Sequence, residues 1–227
     1  MRFLLLSLVA AACASCHAAP GEQSVKPGIN TNFLDPALDV DKFVQRFETE
    51  SREVFAKRTG IARAVGLEAG MSVADVGAGT GLFVDFFARD VTESGRVYAV
   101  ELSPKFAANL RERAERRKQP MVEVVQCTAR DVSLPEASVD VVFTCDTYHH
   151  FEFPAATLAS IHRALKPGGA LVIVDFERIP GKTRPWLLDH VRCGKEQVVR
   201  EVTGAGFRLE EEVALGFEEN YFLRFRR

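Results

Sequence analysis

A glycine-rich segment carries the clearest chemical signal in the chain. Asp75 precedes Gly77, Gly79 and Gly81, with a β-branched run before them and an amphipathic run after them. Glycines let a backbone turn sharply and approach a ligand closely. Glu101 follows Gly81 by 20 residues and ends the next strand-like run, where an acid can accept hydrogen bonds from both ribose hydroxyls. The segment therefore predicts a site for a nucleotide-containing cofactor.

Two cofactor classes compete for this segment. The nicotinamide fingerprint G-x-G-x-x-G places its third glycine where this chain has Leu82, and the chain reads G-x-G-x-G instead. A carboxylate at Asp75, beside the turn, suits a cationic amino-acid group better than a pyrophosphate. The pattern therefore favours a cofactor with an amino-acid part over a dinucleotide.

A second reactive segment follows the fourth strand-like run. It places Cys145, Asp146, Tyr148, His149 and His150 within six residues. Histidine is suited to proton transfer near neutral pH. We expect His149 or His150 to act as a base or to orient a substrate, and Asp146 to line the pocket. The alternative is that the histidines cap the next helix or pack under the loop. Adjacent histidines do not favour one shared metal ion, so no metal ligand is predicted.

Alternating strands and helices must position these residues. This alternation is typical of a parallel sheet with helices on both faces. A helical pattern over 186–203, with a break at Gly194, carries His190, which we expect at the surface or in the core unless it contacts a substrate. The predicted strands are 72–76, 96–100, 122–126, 139–144 and 170–175, followed by a hairpin of 207–215 and 221–225; the predicted helices between them are 82–89, 104–117 and 155–165.

The start of the chain has a different character. A basic residue, an apolar run and small residues over 1–16 predict a secretory signal peptide, with lipidation of Cys13 or Cys16 as the alternative. Residues 17–38 read as a linker, and 39–65 as one or two helices leading into a domain that spans 39–227. The signal predicts an exported protein, periplasmic or lipid-anchored; without a working signal the protein is cytoplasmic.

Composition excludes several classes of function. The 227 residues carry a formal net charge of −2, with 47% hydrophobic and 26% charged residues, as in a globular domain. The chain lacks the basic excess of nucleic-acid-binding proteins. Its five cysteines match neither a disulfide framework nor a zinc spacing.

From about residue 68 to 227 the chain resembles the class I S-adenosylmethionine-dependent methyltransferases. The resemblance rests on four stretches: 75–81, 97–101, 139–146 and the Leu-Lys-Pro-Gly-Gly run of 165–169. It implies an α/β fold with a doubly wound, mostly parallel seven-stranded sheet that ends in an antiparallel hairpin. It also implies that the glycine turn cradles the methionine part of the cofactor and that Glu101 holds the ribose.

The adenine contact departs from the family pattern. Family members often carry Gly-Asp-Ala where this chain has Cys127, Thr128 and Ala129. A threonine hydroxyl accepts a hydrogen bond less strongly than a carboxylate. Asp131 is therefore a second candidate for adenine, with a turn cap as its alternative role. Thr128, Ala129, Asp131 and Cys145 complete the cofactor contacts that we expect.

The resemblance implies methyl transfer from S-adenosylmethionine to an acceptor. We expect a small-molecule acceptor, because the chain has no basic patch and little insertion for a macromolecular platform. No nucleic-acid partner is expected, and membrane contact only through a lipid anchor; the oligomeric state stays open. The rival hypothesis is a catalytically inactive S-adenosylmethionine-binding sensor or scaffold, and a nicotinamide dehydrogenase is a third.

Overall fold

The computed structural model describes residues 21–50 and 52–227. The signal segment expected over 1–16, including Cys13 and Cys16, lies outside these described residues, as do the first residues of the expected linker. Among the described residues, no helix is both long and apolar enough to span a bilayer.

One mixed sheet of seven strands organises the described chain, in the order β3-β2-β1-β4-β5-β7-β6. The first five strands pair in parallel, and β7 pairs antiparallel with both β5 and β6. The doubly wound fold and its terminal hairpin, predicted from the sequence, are thereby confirmed. The strands are β1 (Ser72–Val76), β2 (Arg96–Glu101), β3 (Val122–Gln126), β4 (Val139–Cys145), β5 (Leu165–Phe176), β6 (Arg208–Glu212) and β7 (Asn220–Arg226).

Helices connect and flank the strands. Pro104 and Pro154 open two of them, where a missing amide hydrogen costs nothing. Gly66 ends a third in the left-handed conformation, with φ +73°. The helices are α1 (Val40–Phe47), α2 (Glu53–Ala56), α3 (Arg58–Val65), α4 (Val84–Val91), α5 (Pro104–Arg116), α6 (Pro154–Ala164), α7 (Pro185–His190) and α8 (Lys195–Gly204), with 3₁₀ turns at Thr31–Phe33 and Tyr148–His150.

The core lies on both faces of the sheet. Successive side chains of a strand point to opposite faces, so Val73 joins the cluster on one face and Ala74 the cluster on the other. On the first face the ring of Phe143 lies 4.9 Å from that of Phe83 and 5.1 Å from that of Phe87. Burying each such ring stabilises the fold by about 1.5–3 kcal/mol. This packing fixes β1 between β2 and β4, where the strand order reverses and a ligand crevice opens.

The described part of the expected linker lies against the domain. Residues 21–38 contain the 3₁₀ turn Thr31–Phe33. The Glu22 carboxylate accepts hydrogen bonds from the amides of Ala155 and Ala156, at 2.9 and 3.0 Å, in the first turn of α6. A carboxylate at this position satisfies amides that have no partner within the helix. This segment therefore runs over the carboxyl edge of the sheet.

The helical lead forms three short helices where the sequence predicted one or two. Long-range contacts set the break between α1 and α2. The Arg52 guanidinium forms an ion pair with the Asp146 carboxylate just after β4. The Glu53 carboxylate accepts the amides of Glu219 and Asn220, each at 2.9 Å, where β7 begins. These contacts hold the lead over the same edge of the sheet.

Candidate active site

Residues 77–81, the glycine turn, follow β1 at the reversal point of the sheet. A Cβ on Gly77 would lie 2.2 Å from Thr147 Cγ2, and one on Gly81 would lie 2.9 Å from Leu110 Cδ2. Around Gly79 the nearest neighbour is the Gly77 carbonyl oxygen, at 3.8 Å. Only glycine therefore fits at positions 77 and 81, because any side chain would clash with Thr147 or Leu110. Gly79, in contrast, borders open space that a ligand can enter.

The carboxylate of Glu101 is fixed at the edge of this turn. Its Oε2 accepts the Gly79 amide at 2.8 Å and its Oε1 accepts the Ser103 amide at 2.7 Å. The residue is 6% exposed. Burial raises the pKa of Glu101, and the donating amides oppose that rise. Each oxygen keeps a second lone pair, so the carboxylate can also accept hydrogen bonds from two ribose hydroxyls.

Asp75 is a buried carboxylate that lacks a compensating partner. It is 3% exposed, and no described residue donates a hydrogen bond to it. Burial, followed by the negative charge of Glu101, raises the pKa of Asp75 to about 8. An unpaired buried carboxylate is costly unless a cation or a proton compensates it. The position therefore suits the ammonium group of a ligand.

The two candidates for adenine take part in their own turn. Thr128 Oγ1 accepts the amides of Arg130 and Asp131 at 3.2 and 3.0 Å. Asp131 Oδ1 accepts the Ser133 amide at 2.7 Å, while its Oδ2 pairs with Arg163 at 2.8 Å. The structure thus shows the turn-capping role of Asp131, and an adenine contact by either residue stays a prediction.

The other two predicted cofactor contacts lie at the same edge of the sheet. Cys145 ends β4, and burial raises the pKa of its thiol well above the usual value, so it is a neutral, weakly polar group. The Ala129 carbonyl, just beyond β3, accepts the Thr157 hydroxyl at 3.3 Å. Both positions adjoin the crevice expected at the carboxyl ends of the strands.

Asp146 tethers other elements to the end of β4. Its Oδ1 accepts the Asn220 side-chain amide at 2.9 Å, and its Oδ2 pairs with Arg52. Burial raises the pKa of Asp146 to about 6, and the charge of Arg52 opposes the rise. We expected Asp146 to line the pocket; both of its oxygens are engaged by residues 94 and 74 positions away in sequence. No local pattern pointed to either partner.

His149 is held by a buried carboxylate. Its Nδ1 lies 2.7 Å from Oδ1 of Asp175, and its backbone amide donates to Oδ2 of Asp175 at 3.0 Å. The two residues are 2% and 1% exposed. A carboxylate on Nδ1 holds the proton there and leaves a lone pair on Nε2. The sequence marked Asp175 only as a strand end; the pairing of Cys145 with Val174 brings it beside the loop after β4.

His150 and His190 complete a cluster with His149. The ring centroid of His190 lies 5.0 Å from those of both His149 and His150, which are 4.3 Å apart. Burial, followed by the neighbouring His149, lowers the pKa of His150 to about 2 and that of His190 to about 4, so both rings are neutral. Neither His149 nor His150 caps α6, whose first amides bind Glu22 instead.

Comparisons with known proteins agree with this geometry. A family model described as "Methyltransferase domain" matches residues 74–173. The erythromycin 3''-O-methyltransferase of Saccharopolyspora erythraea is 32% identical over 139 residues, which cover 59% of this chain and 45% of that protein. The crystal structure of a SAM-dependent methyltransferase from Aquifex aeolicus superposes with a TM-score of 0.73 at 25% identity, covering 83% of this chain and 98% of that one.

Other similarities support the fold but not the activity. The [4+2]-cyclase SpnF superposes with a TM-score of 0.69 at 18% identity, covering 90% of this chain and 96% of that one, which shows the fold alone. The chain spans less than half the length of the first curated relatives that it matches.

The site residues fit S-adenosylmethionine on observations of this structure. Asp75 offers a buried carboxyl group without a hydrogen-bond partner to an amino group, Gly79 leaves its backbone open, and Glu101 presents a fixed carboxylate to a ribose. The matched family range contains all three residues. With the strand order and the superposed Aquifex structure, these observations make the chain similar to the class I S-adenosylmethionine-dependent methyltransferases, and its residues 74–173 match a methyltransferase domain.

Proposed function

We propose that the chain transfers a methyl group from S-adenosylmethionine to a small-molecule acceptor by in-line displacement. The observation that carries this proposal is the set of Asp75, Gly79 and Glu101 beside the loop that bears the histidines. Thr147 stands where a Cβ on Gly77 would have to go, so this loop packs directly on the glycine turn. The glycine turn, on the cofactor side, therefore lies next to the histidine-bearing loop, on the proposed acceptor side.

Positioning is the chain's main contribution to such a reaction. S-adenosylmethionine, when bound, supplies a methyl group on a positively charged sulfur that is already activated for displacement. Aligning two reactants can contribute roughly 7–11 kcal/mol. In this proposal Asp75 attracts the amino group and Glu101 holds the ribose, while the half-buried Cys145 borders the crevice.

An acceptor hydroxyl or thiol must also lose a proton. With Asp175 holding Nδ1, Nε2 of His149 is oriented to take it, and His150 can orient the acceptor. General-base assistance of this kind contributes about 10²–10⁴-fold to a rate. Asp146, with both oxygens engaged, is placed to position the loop through Arg52 and Asn220.

Three observations support a small-molecule acceptor. The net charge of −2 gives no electrostatic footprint for nucleic acid. Next to His190, α7 carries Trp186, which is 48% exposed with its ring centroid 6.3 Å from that of His190. An exposed aromatic ring beside polar groups suits an organic ligand. The printed name of the Saccharopolyspora relative also gives a small molecule.

A sensor or scaffold that binds the cofactor without catalysis is the second candidate. The engaged oxygens of Asp146 and the 2% exposure of His149 favour it, because they leave the predicted pocket residue and one predicted base little access to an acceptor. The cofactor side would look the same in both cases.

Calorimetry followed by label transfer tests the proposal. The full chain is titrated with S-adenosylmethionine and with its demethylated product, and then incubated with methyl-labelled cofactor and a panel of hydroxyl, thiol and amine acceptors. We expect saturable binding and labelled product, with the rate at least about 100-fold lower in His149→Ala. His162→Ala, a half-exposed histidine on α6, is the matched control. Failure to bind either ligand would overturn both candidates, and binding without transfer across the panel would favour the sensor.

A further inference from the structure

Three imidazoles from distant parts of the chain converge next to the proposed active site. His149 and His150 lie in the 3₁₀ turn after β4, and His190 ends α7. One ligand nitrogen from each lies within 4.8 Å of the others. We call these three residues the histidine cluster.

Two of the three cluster backbones, those of His150 and His190, are held in place by the segment that crosses the sheet edge. Asn30 Nδ2 donates to the His150 carbonyl at 3.1 Å, and Lys26 Nζ donates to the His190 carbonyl at 2.6 Å. The ring of Phe33 packs edge-on against His150, with centroids 5.1 Å apart. Residues 21–38 therefore hold His150 and His190 in place through their backbone carbonyls and through the ring of Phe33.

Two nitrogen atoms of the cluster are free to bind a metal ion. Asp175 accepts from Nδ1 of His149 and so leaves Nε2 as a free donor atom. A carboxylate behind a histidine is the usual second partner of a metal-binding imidazole. His150 Nδ1 is buried without any hydrogen-bond partner among the described residues. An orphaned buried nitrogen calls for a partner that the protein chain does not supply.

We propose that the histidine cluster binds one divalent transition-metal ion of the zinc type, with a fourth position open to water or to a ligand. Three imidazoles suit zinc and its neighbours, and disfavour magnesium and calcium, which prefer oxygen ligands. Zinc–nitrogen bonds of about 2.0–2.1 Å place tetrahedral ligand nitrogens roughly 3.3 Å apart. The proposal requires the present separation, which is at most 4.8 Å, to shorten by side-chain rotation when the ion binds.

A metal at this place would change how the loop acts on an acceptor. It would use the Nε2 lone pair of His149, so His149 would no longer be the base. The ion would instead lower the pKa of an acceptor hydroxyl or thiol at the open position, which would release its proton to solvent water. This role rests on the proposed function, whereas metal binding itself does not. The competing explanation is that the rings only pack together with Phe33 and Phe176.

Cobalt(II) is the probe of choice because tetrahedral cobalt absorbs visible light. The full chain is freed of metal with a chelator and titrated with cobalt(II) without cofactor or acceptor, and zinc is then added to displace it. We expect tetrahedral absorption bands that saturate at one equivalent, and an affinity at least about 100-fold lower in His190→Ala. Asp175→Asn should lower the affinity about 10–100-fold.

His162→Ala is the matched control, because His162 lies outside the cluster and packs on Phe207. Any metal held by Cys13, Cys16 or His17, which lie outside the described residues, is the same in both variants. Far-ultraviolet circular dichroism checks folding, and His190→Gln replaces His190→Ala if the alanine variant unfolds. Identical titrations of the His190 and His162 variants, or no tetrahedral bands, would overturn the assignment while leaving cofactor binding to its own test.

Discussion

At Asp75 the protein keeps a carboxylate where folding alone would not place one. The side chain is 3% exposed, unpaired and close enough to Glu101 for like charges to repel. Such a group lowers the stability of the cofactor-free fold, and a cationic ligand would relieve that cost. Asp75 thus lowers the stability of the cofactor-free protein and favours binding of a cationic ligand, a trade-off that is common at functional sites.

Replacing Asp75 by asparagine should separate these two effects. The folded pKa of Asp75 is raised from 3.8 to about 8, so the native state holds a proton that the unfolded chain releases. Stability from this group is full below about pH 4 and is lost as the pH rises toward 8. We expect the unfolding free energy of Asp75→Asn, relative to the unmodified chain, to increase between pH 5 and pH 8 and then level off. Denaturant titrations at each pH measure it.

The same variant should bind S-adenosylmethionine more weakly at pH 8. The ligand's own amino group titrates near pH 8, and the variant serves as the reference for that contribution. A stability difference that stays flat with pH would contradict the assigned protonation of Asp75.

At the scale of elements, the glycine turn and the loop after β4 fit each other closely. Gly77 has φ +78°, and any Cβ there would meet Thr147. Thr147 in turn precedes the histidines, so the fit sets the distance between the cofactor side and the acceptor side.

Gly77→Ala should therefore damage both stability and cofactor binding. The left-handed conformation costs an alanine about 1–2 kcal/mol, and displacement of Thr147 adds to this. Thermal unfolding and calorimetry measure the two effects. Gly204→Ala is the control: it lies at the end of α8 with nothing within 4 Å of the added carbon, and we expect it to stabilise the protein by up to about 1 kcal/mol. Equal effects of the two variants would refute the role of the fit.

The helical lead depends on a contact that is equally specific. Arg52→Ala leaves the Asp146 carboxylate with Asn220 alone, and loss of one partner of a hydrogen-bonded charge costs about 1–3 kcal/mol. We expect faster amide hydrogen exchange in α1 and α2. Lys42→Ala, which removes a pair between side chains that are 80% and 48% exposed, is the control and should change exchange little. Unchanged exchange in Arg52→Ala would show that the lead is held by other contacts.

Local patterns predicted the elements well and their partners poorly. Period-two runs placed β1 and β3 at the bounds that the structure shows, and the two strands of the hairpin to within a few residues. The number of helices over 39–65 was predicted too low, because their breaks are set by contacts of Arg52 and Glu53 with distant loops. Asp175 and His190 were missed as partners of His149 for the same reason: periodicity carries no information about which strand or helix ends meet.

At the scale of the whole molecule, the strand order brings together residues that are far apart in the sequence. The order β3-β2-β1-β4-β5 sets the ends of β1, β2, β4 and β5 side by side, so Asp75, Glu101, His149 and Asp175 share one edge. Residues 21–38 and the helical lead then cover that edge. The site is therefore a property of the assembled sheet together with its N-terminal covering.

The leader adds a question of cofactor supply. We propose that residues 1–16 act as a signal and are removed or lipidated on export, in which case S-adenosylmethionine, made in the cytoplasm, has to reach the outer compartment. Cell fractionation with mass measurement of the mature N-terminus tests this. We expect a shortened or lipid-bearing chain in the periplasmic or membrane fraction. A full-length, unmodified chain in the cytoplasmic fraction would refute the proposal.

The central claim is that the crevice at β1 and β2 binds S-adenosylmethionine through the carboxylate of Glu101. Calorimetric titration of the full chain tests it most directly when the unmodified protein, Glu101→Gln and the control Glu123→Gln are compared. Glu123 lies on β3 with its side chain 53% exposed. We predict one saturable site, weakened about 10–100-fold in Glu101→Gln, which loses a charge-assisted acceptor, and unchanged in Glu123→Gln. The absence of saturable binding by the unmodified protein, or equal binding by all three proteins, would contradict the account.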